Sequence, residues 1–372
     1  MAIDRRRFLI GAGAALGAAF APRRGNADAS SAASLLYVGA CADAAGGYWV
    51  AGFDRAGVLS FATALPGRGH DILLHPDGDE LLVFARRPGL WFVRIGREKG
   101  ELRQIVEAAA GRHFYGHGAF SPDGKRLYAS ENLIATGDGL LGIYDATDGY
   151  RRLGEQPSFG IGPHDLAYLP GTDRMVIANG GIRTHPDTGR EILNPDSMAP
   201  SLVTVRPATG ELLNEVDFGP ALRTLSIRHL AAATDGTVAF GCQSQGDPFD
   251  LPPLVGLLDP DGKARFLDMP ETDLGALANY VGSIELDRDG TVVAATSPHG
   301  GMVAYWDRPS GRYLGRRAMS DVCGVAPTAV AREFMLTSGN SGVELSPVAA
   351  EALHPLAAGL ADWSWDNHLI AV

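Results

Sequence analysis

Cysteine is nearly absent from this chain: only Cys41, Cys242 and Cys323 occur in 372 residues. No CxxC or CxxCH is present, which removes support for thioredoxin-like redox chemistry and for covalent attachment of a c-type haem. Three cysteines leave at least one thiol unpaired, or allow one bridge between distant segments; buried, unreactive thiols are the expectation. A Gly-x-Ser-x-Gly elbow and a nucleotide-binding Gly-rich loop are also lacking. Basic residues are in deficit, with 32 Lys and Arg against 43 Asp and Glu and a net charge of −11. That balance argues against nucleic acid and anionic membrane surfaces as partners. Past the first thirty residues no apolar run approaches membrane-spanning length.

What the chain has in abundance is turn residues, 48 Gly and 23 Pro, together with a recurring phrase. A histidine-bearing pair, an apolar run and an Asp-Gly turn appear as His70-Asp71-Ile72-Leu73-Leu74 before Asp77-Gly78, and as Gly116-His117-Gly118-Ala119-Phe120 before Asp123-Gly124. The phrase returns as His164-Asp165-Leu166-Ala167-Tyr168 before Pro170-Gly171, as Arg228-His229-Leu230 before Asp235-Gly236, and weakly as Gly282-Ser283-Ile284 before Asp289-Gly290. His70, His117 and His164 stand 47 residues apart. A period in the forties built from short strands and tight turns predicts an all-β β-propeller.

A second hairpin repeats further along each unit, for example Ile143-Tyr144-Asp145 before Gly149 and Tyr305-Trp306-Asp307 before Gly311. Six such hairpins and an irregular unit over about 322–359 give seven blades, the first of them completed by the two chain ends. Leu35 to Gly39 reads as a second strand without a first, and Asp366 to Val372 as a first strand without a second. Their pairing predicts a ring closed by N- and C-terminal strands within one blade.

Residues 1–29 read as an export signal: Arg5-Arg6-Arg7-Phe8-Leu9 fits the twin-arginine pattern, an apolar stretch follows to Ala21, and Ala27-Asp28-Ala29 offers a cleavage site. The expected mature protein is a periplasmic, single-domain propeller over residues 30–372. Its charge would be near −14, since five Arg against Asp4 and Asp28 carry +3 away with the signal. Twin-arginine substrates are typically folded before export, which favours a bound cofactor without naming one.

The candidate metal ligands are His70, Asp71, His117, His164, Asp165, His229 and His368, all at starts of innermost strands. Neutral imidazoles converging on one axis suit iron, copper or another transition metal, and the carboxylates are either ligands or orienting acceptors. Aligned on the turns, Asp71 matches His117 and His229, while His70 and His164 fall one residue earlier. Consecutive strand residues face opposite ways, so an inward orientation is expected first for His117, His164 and His229. The long loops of the same face contribute Asn179, His185, Gln245 and His299 as candidate ligand-binding residues. His75, His113 and His354 read as structural.

The twin-arginine signal, the Gly69-His70-Asp71 and Gly162-Pro163-His164-Asp165 phrases, the Phe120-Ser121-Pro122-Asp123-Gly124 turn and the closing Trp363-Ser364-Trp365-Asp366-Asn367-His368 together resemble an uncharacterised family of exported seven-bladed propellers, described as a domain of unknown function. The resemblance covers essentially the whole mature chain. It implies an association with imelysin-like iron-regulated proteins and di-haem peroxidase-like proteins, and through them a role in iron acquisition. Leu36-Tyr37-Val38-Gly39 and His75-Pro76-Asp77-Gly78 are similar to the repeat of lactonase-type propellers, mostly at structural turns. The leading expectation is a propeller that binds a metal, metal chelate or haem-like ligand on its channel face. The alternatives are a lactonase-like hydrolase or metal-dependent oxidoreductase using that face, and a protein-interaction scaffold.

Overall fold

Short apolar runs separated by Asp-Gly and Asp-x-x-x-Gly turns form antiparallel hairpins, and in the computed structural model these assemble into seven four-stranded sheets. The structure describes residues 35–356 and 358–372; the twin-arginine signal expected at 1–29 lies outside them. The chain opens with β1 (Leu36–Ala42), β2 (Tyr48–Asp54) and β3 (Leu59–Ala64). Four-stranded blades follow as β4 (Gly69–Leu74), β5 (Glu80–Ala85), β6 (Trp91–Gly96) and β7 (Leu102–Glu107), then β8 (Arg112–Phe120), β9 (Arg126–Leu133), β10 (Asp138–Asp145) and β11 (Arg151–Pro157). The next two are β12 (Pro163–Tyr168), β13 (Met175–Asn179), β14 (Ser201–Arg206) and β15 (Glu211–Asp217), and β16 (Leu225–Ala232), β17 (Val238–Ser244), β18 (Val255–Leu258) and β19 (Ala264–Phe266). The last are β20 (Ser283–Leu286), β21 (Val292–Ser297), β22 (Met302–Asp307) and β23 (Arg312–Ala318), and β24 (Val322–Pro327), β25 (Glu333–Ser338), β26 (Gly342–Pro347) and β27 (His354–Pro355). The final strand, β28 (Ser364–Ala371), returns to the first sheet in the order β28-β1-β2-β3.

The ring closes as expected. Leu36 N donates to Val372 O at 2.9 Å and Val372 N to Leu36 O at 2.8 Å. Trp365 of β28 meets Phe53 edge-on at 5.3 Å between ring centroids, and both rings are buried with Tyr37, Met335 and Leu369. The returning strand thus brings the first sheet to four strands, like the other six.

Burial follows position in the blade. The second strands β5, β13, β21 and β25 are buried along their whole length, because adjacent blades cover both of their faces, and they read as continuous apolar runs. The outermost β11 alternates exposed and half-buried residues instead. Asp-Gly turns join first and second strands: Gly78 N donates to His75 O at 2.8 Å with Gly78 at φ +84°, the left-handed conformation glycine adopts without steric cost.

The innermost strands are irregular in a repeated way. Pairing shifts register between Gly69 and Ile72 in β4, Phe114 and Gly118 in β8, Pro163 and Asp165 in β12, Ile227 and His229 in β16, and Val322 and Val325 in β24. In β28 the partners of β1 jump from Trp365 to Leu369. Each is a β-bulge, which frees residues from the ladder and re-aims their side chains. All but the one in β24 sit where the histidine phrases lie.

Candidate metal centre

Five imidazoles from five blades meet at the axis. His70 lies 4.6 Å from His368 and 4.9 Å from His117 between ring centroids; His117 lies 4.6 Å from His164, and His164 5.0 Å from His229. His229 to His368, at 4.8 Å, completes the circuit. Strict strand alternation would have turned some of these rings away from the axis, and the structure corrects that expectation. The bulges absorb the one-residue offset between the phrases, so His70 and His164 point inward along with His117 and His229.

All five are buried or nearly so. Burial holds each ring's pKa below the ordinary histidine value, His368 at about 4, and the neighbouring imidazoles and Arg228 push in the same direction for most of them. The rings are therefore neutral near pH 7, the form that binds a metal. Several ring nitrogens have no hydrogen-bond partner among the described residues: Nε2 of His117, Nδ1 of His164, both nitrogens of His229 and Nε2 of His368. Two sets of three, His70-His117-His368 and His117-His164-His229, place one nitrogen of each ring within 4.8 Å of the others. On a tetrahedral metal with ordinary metal–nitrogen bonds the ligand atoms stand about 3.4 Å apart, so a small inward turn of the rings closes either set.

The carboxylates act from outside this cluster. Asp71 Oδ2 lies 3.3 Å and Asp165 Oδ1 3.5 Å from Nδ1 of His117. Asp366 Oδ1 lies 3.3 Å from Nδ1 of His70 and accepts from Arg86, while Oδ2 accepts from Arg68. A carboxylate on one ring nitrogen fixes the tautomer and leaves the other nitrogen free for the centre. Asp71 and Asp165 thus stand beside the His117 ring, outside the two three-histidine sets. Burial raises the pKa of both, while histidine neighbours pull the other way. Glu285, on β20, is raised to about 7, mainly by burial. Gly116 serves the packing: it sits at φ +107°, and a Cβ there would come within 2.8 Å of His70 Cδ2.

On one side of the imidazoles lies a cavity of about 450 Å³ lined by Arg87, Arg190, Arg228, Tyr280, Gln245 and His299 among others. A narrow cleft shares Arg87, Arg190 and Tyr280 with it and is also lined by His70, His164 and His229. The cavity therefore adjoins the cluster.

The comparisons with known proteins follow this geometry. Residues 63–372 match the family model described as "Protein of unknown function (DUF1513)". The chain belongs to that family. No curated protein matches the chain. Among solved structures it is similar to hydrazine synthase of Kuenenia stuttgartiensis, at 15% identity and TM-score 0.60, over 82% of this chain and 90% of that one. It is also similar to the WD40 repeats of RRP9, at 14% identity and TM-score 0.58, over 81% and 83%. At such identities the likeness is one of fold alone.

Of the loop candidates, Gln245 and His299 line the cavity, and His299 packs against Tyr280 at 4.1 Å. Asn179 does not line it; its buried amide donates to Ser158 O at 3.1 Å and Ser201 Oγ at 3.3 Å. His185 stands apart on its loop, Nδ1 3.7 Å from Asp187 Oδ2. Sequence reasoning missed Arg87, Arg190 and Arg228. Arg228 lies within the repeated phrase, as the residue before His229, but only the fold shows that the end of a second strand and one long loop bring Arg87 and Arg190 beside it. The cysteines behave as expected: all three are buried and free, with burial raising each thiol pKa.

Proposed function

We propose that this propeller binds a first-row transition-metal ion, free or as a chelate, through its axial histidines. The observation that carries the reading is that His117, His164 and His229, which form one three-histidine set, each have a buried ring nitrogen with no hydrogen-bond partner among the described residues. Buried polar atoms ordinarily find partners, and an all-imidazole set favours zinc, copper, iron or nickel over calcium or magnesium. His117, common to both three-histidine sets, is the pivotal ligand. The Arg5-Arg6-Arg7-Phe8-Leu9 sequence supports a periplasmic location reached by the twin-arginine route. Iron acquisition beside imelysin-like or di-haem peroxidase-like partners is the physiological setting that the family resemblance supports.

The adjoining cavity favours a second reading, in which the centre keeps an open coordination position and acts as a metal-dependent enzyme. Elemental analysis separates metal binding from both a metal-free hydrolase and a scaffold. Protein recovered from the periplasm should carry near-stoichiometric metal that a folded His117→Ala, His164→Ala, His229→Ala variant lacks. Absence of metal from the parent, even after incubation with iron, copper and zinc, would overturn the proposal.

A further inference from the structure

The cavity beside the histidines holds positive charge that metal binding does not use. Arg87 and Arg228 are 8% and 2% exposed, and neither makes an ion pair among the described residues. Nη1 of Arg87 and Nε of Arg228 have no hydrogen-bond partner. Exposed Arg190 stands at the same cavity and likewise makes no ion pair among the described residues. Arg86, by contrast, is satisfied by Asp366. Among the described residues no Asp or Glu lines the cavity, although the chain has 43 of them.

Buried charges in folded proteins are ordinarily paired, because desolvation of an isolated ion is costly. Here two guanidinium groups are buried and a third stands beside them. The protein's own carboxylates leave this pocket uncompensated.

We propose that the pocket formed by Arg87, Arg190 and Arg228 is a binding site for a small oxyanion carrying two or more negative charges, a polycarboxylate or a phosphate. The planar guanidinium fork matches both groups bidentately. The cavity volume of about 450 Å³ accommodates an anion of citrate size. Tyr280, against Arg190, lines the wall on which the anion rests. The site stands on the arginines alone and does not require the histidine cluster to be loaded.

The test is thermal unfolding and calorimetric titration of metal-stripped mature protein with citrate, succinate, inorganic phosphate and pyrophosphate, chloride serving as the control. Variants Arg228→Met and Arg190→Ala are run in parallel, the second because an exposed position tolerates truncation. At least one oxyanion at saturating concentration should raise the parent's midpoint by about 3 °C or more. Each variant should lose at least tenfold in affinity. Without anion, Arg228→Met should melt at or above the parent, since a buried unpaired charge has been removed. Citrate or succinate responding alone identifies a carboxylate site, and phosphate or pyrophosphate alone a phosphate site. No response in the parent, or equal responses in parent and variants, would overturn the inference. A His117→Ala, His164→Ala, His229→Ala variant that still binds the anion separates this result from the fate of the metal proposal.

Discussion

Asp71 and Asp165, from the blades on either side of His117, face the same atom, Nδ1 of that ring, at 3.3 and 3.5 Å. The two carboxylates are held in turn by backbone: Ile72 N donates to Asp71 at 2.9 Å, and Leu166 N and Leu230 N donate to Asp165 at 2.7 and 2.8 Å. The ring is thereby fixed from both flanks while Nε2 remains unpartnered toward the centre.

Removing both acceptors should therefore loosen the centre without deleting a ligand. An Asp71→Asn, Asp165→Asn double variant is expected to bind metal about 10- to 100-fold more weakly. Competition against a chromophoric chelator measures this. Unchanged affinity in the folded double variant would show that the carboxylates do not orient His117.

Glu285 supplies a pH dependence from a residue that is not itself a candidate ligand, although the charge of Asp165 adds to its shift. Its pKa rises from 4.5 to about 7, chiefly through burial, and no ion pair to it occurs among the described residues. The unfolded chain releases this proton near pH 4.5, whereas the folded protein retains it to about pH 7. Its contribution is thus fully present at low pH and is lost as pH rises between those values. Glu285→Gln mimics the neutral acid, so the variant should match the parent near pH 4 and exceed it by about 1–3 kcal/mol at pH 8. Urea unfolding at the two pH values checks this; equal stability at pH 8 would contradict it.

Glu131 is a structural counterpart to these groups. It is fully buried in β9 and accepts from Tyr144 Oη at 2.5 Å and Arg152 Nη2 at 2.7 Å. Glu80 accepts in the same manner from Tyr150 Oη at 2.6 Å in the preceding blade. Glu131→Ala removes the acceptor and leaves the hydroxyl and guanidinium without it, an expected cost of about 3–5 kcal/mol. Denaturant unfolding should show a lower midpoint, and metal content should be preserved in protein that remains folded.

The ring and its closure were legible in the sequence because turn chemistry is local. Asp77-Gly78, Asp123-Gly124 and Asp235-Gly236 set hairpins wherever they occur, and their spacing counts blades. Tyr37 and Leu369 could be assigned to one sheet because each lay in a strand that lacked its neighbour. The inward orientation of His70 was not legible: it depends on a bulge after Gly69, and an alternation rule treats a bulge as a change of face. Arg87 and Arg190 were invisible for another reason. They belong to a strand end and a long loop of different blades, and an absent countercharge in space leaves no mark on either stretch of sequence. Asn179 shows the converse. Its loop position suggested ligand binding, while its place at the end of β13 turns its amide into contacts with Ser158 and Ser201.

Arg228 comes just before His229 and Asp165 just after His164, yet the two lead to different places. Arg228 lines the open cavity, whereas Asp165 reaches His117 of one neighbouring blade and accepts from Leu230 N of the other. Of the residues that flank the axial imidazoles in sequence, one kind therefore meets whatever enters the pocket, and the other ties adjacent blades together around the axis.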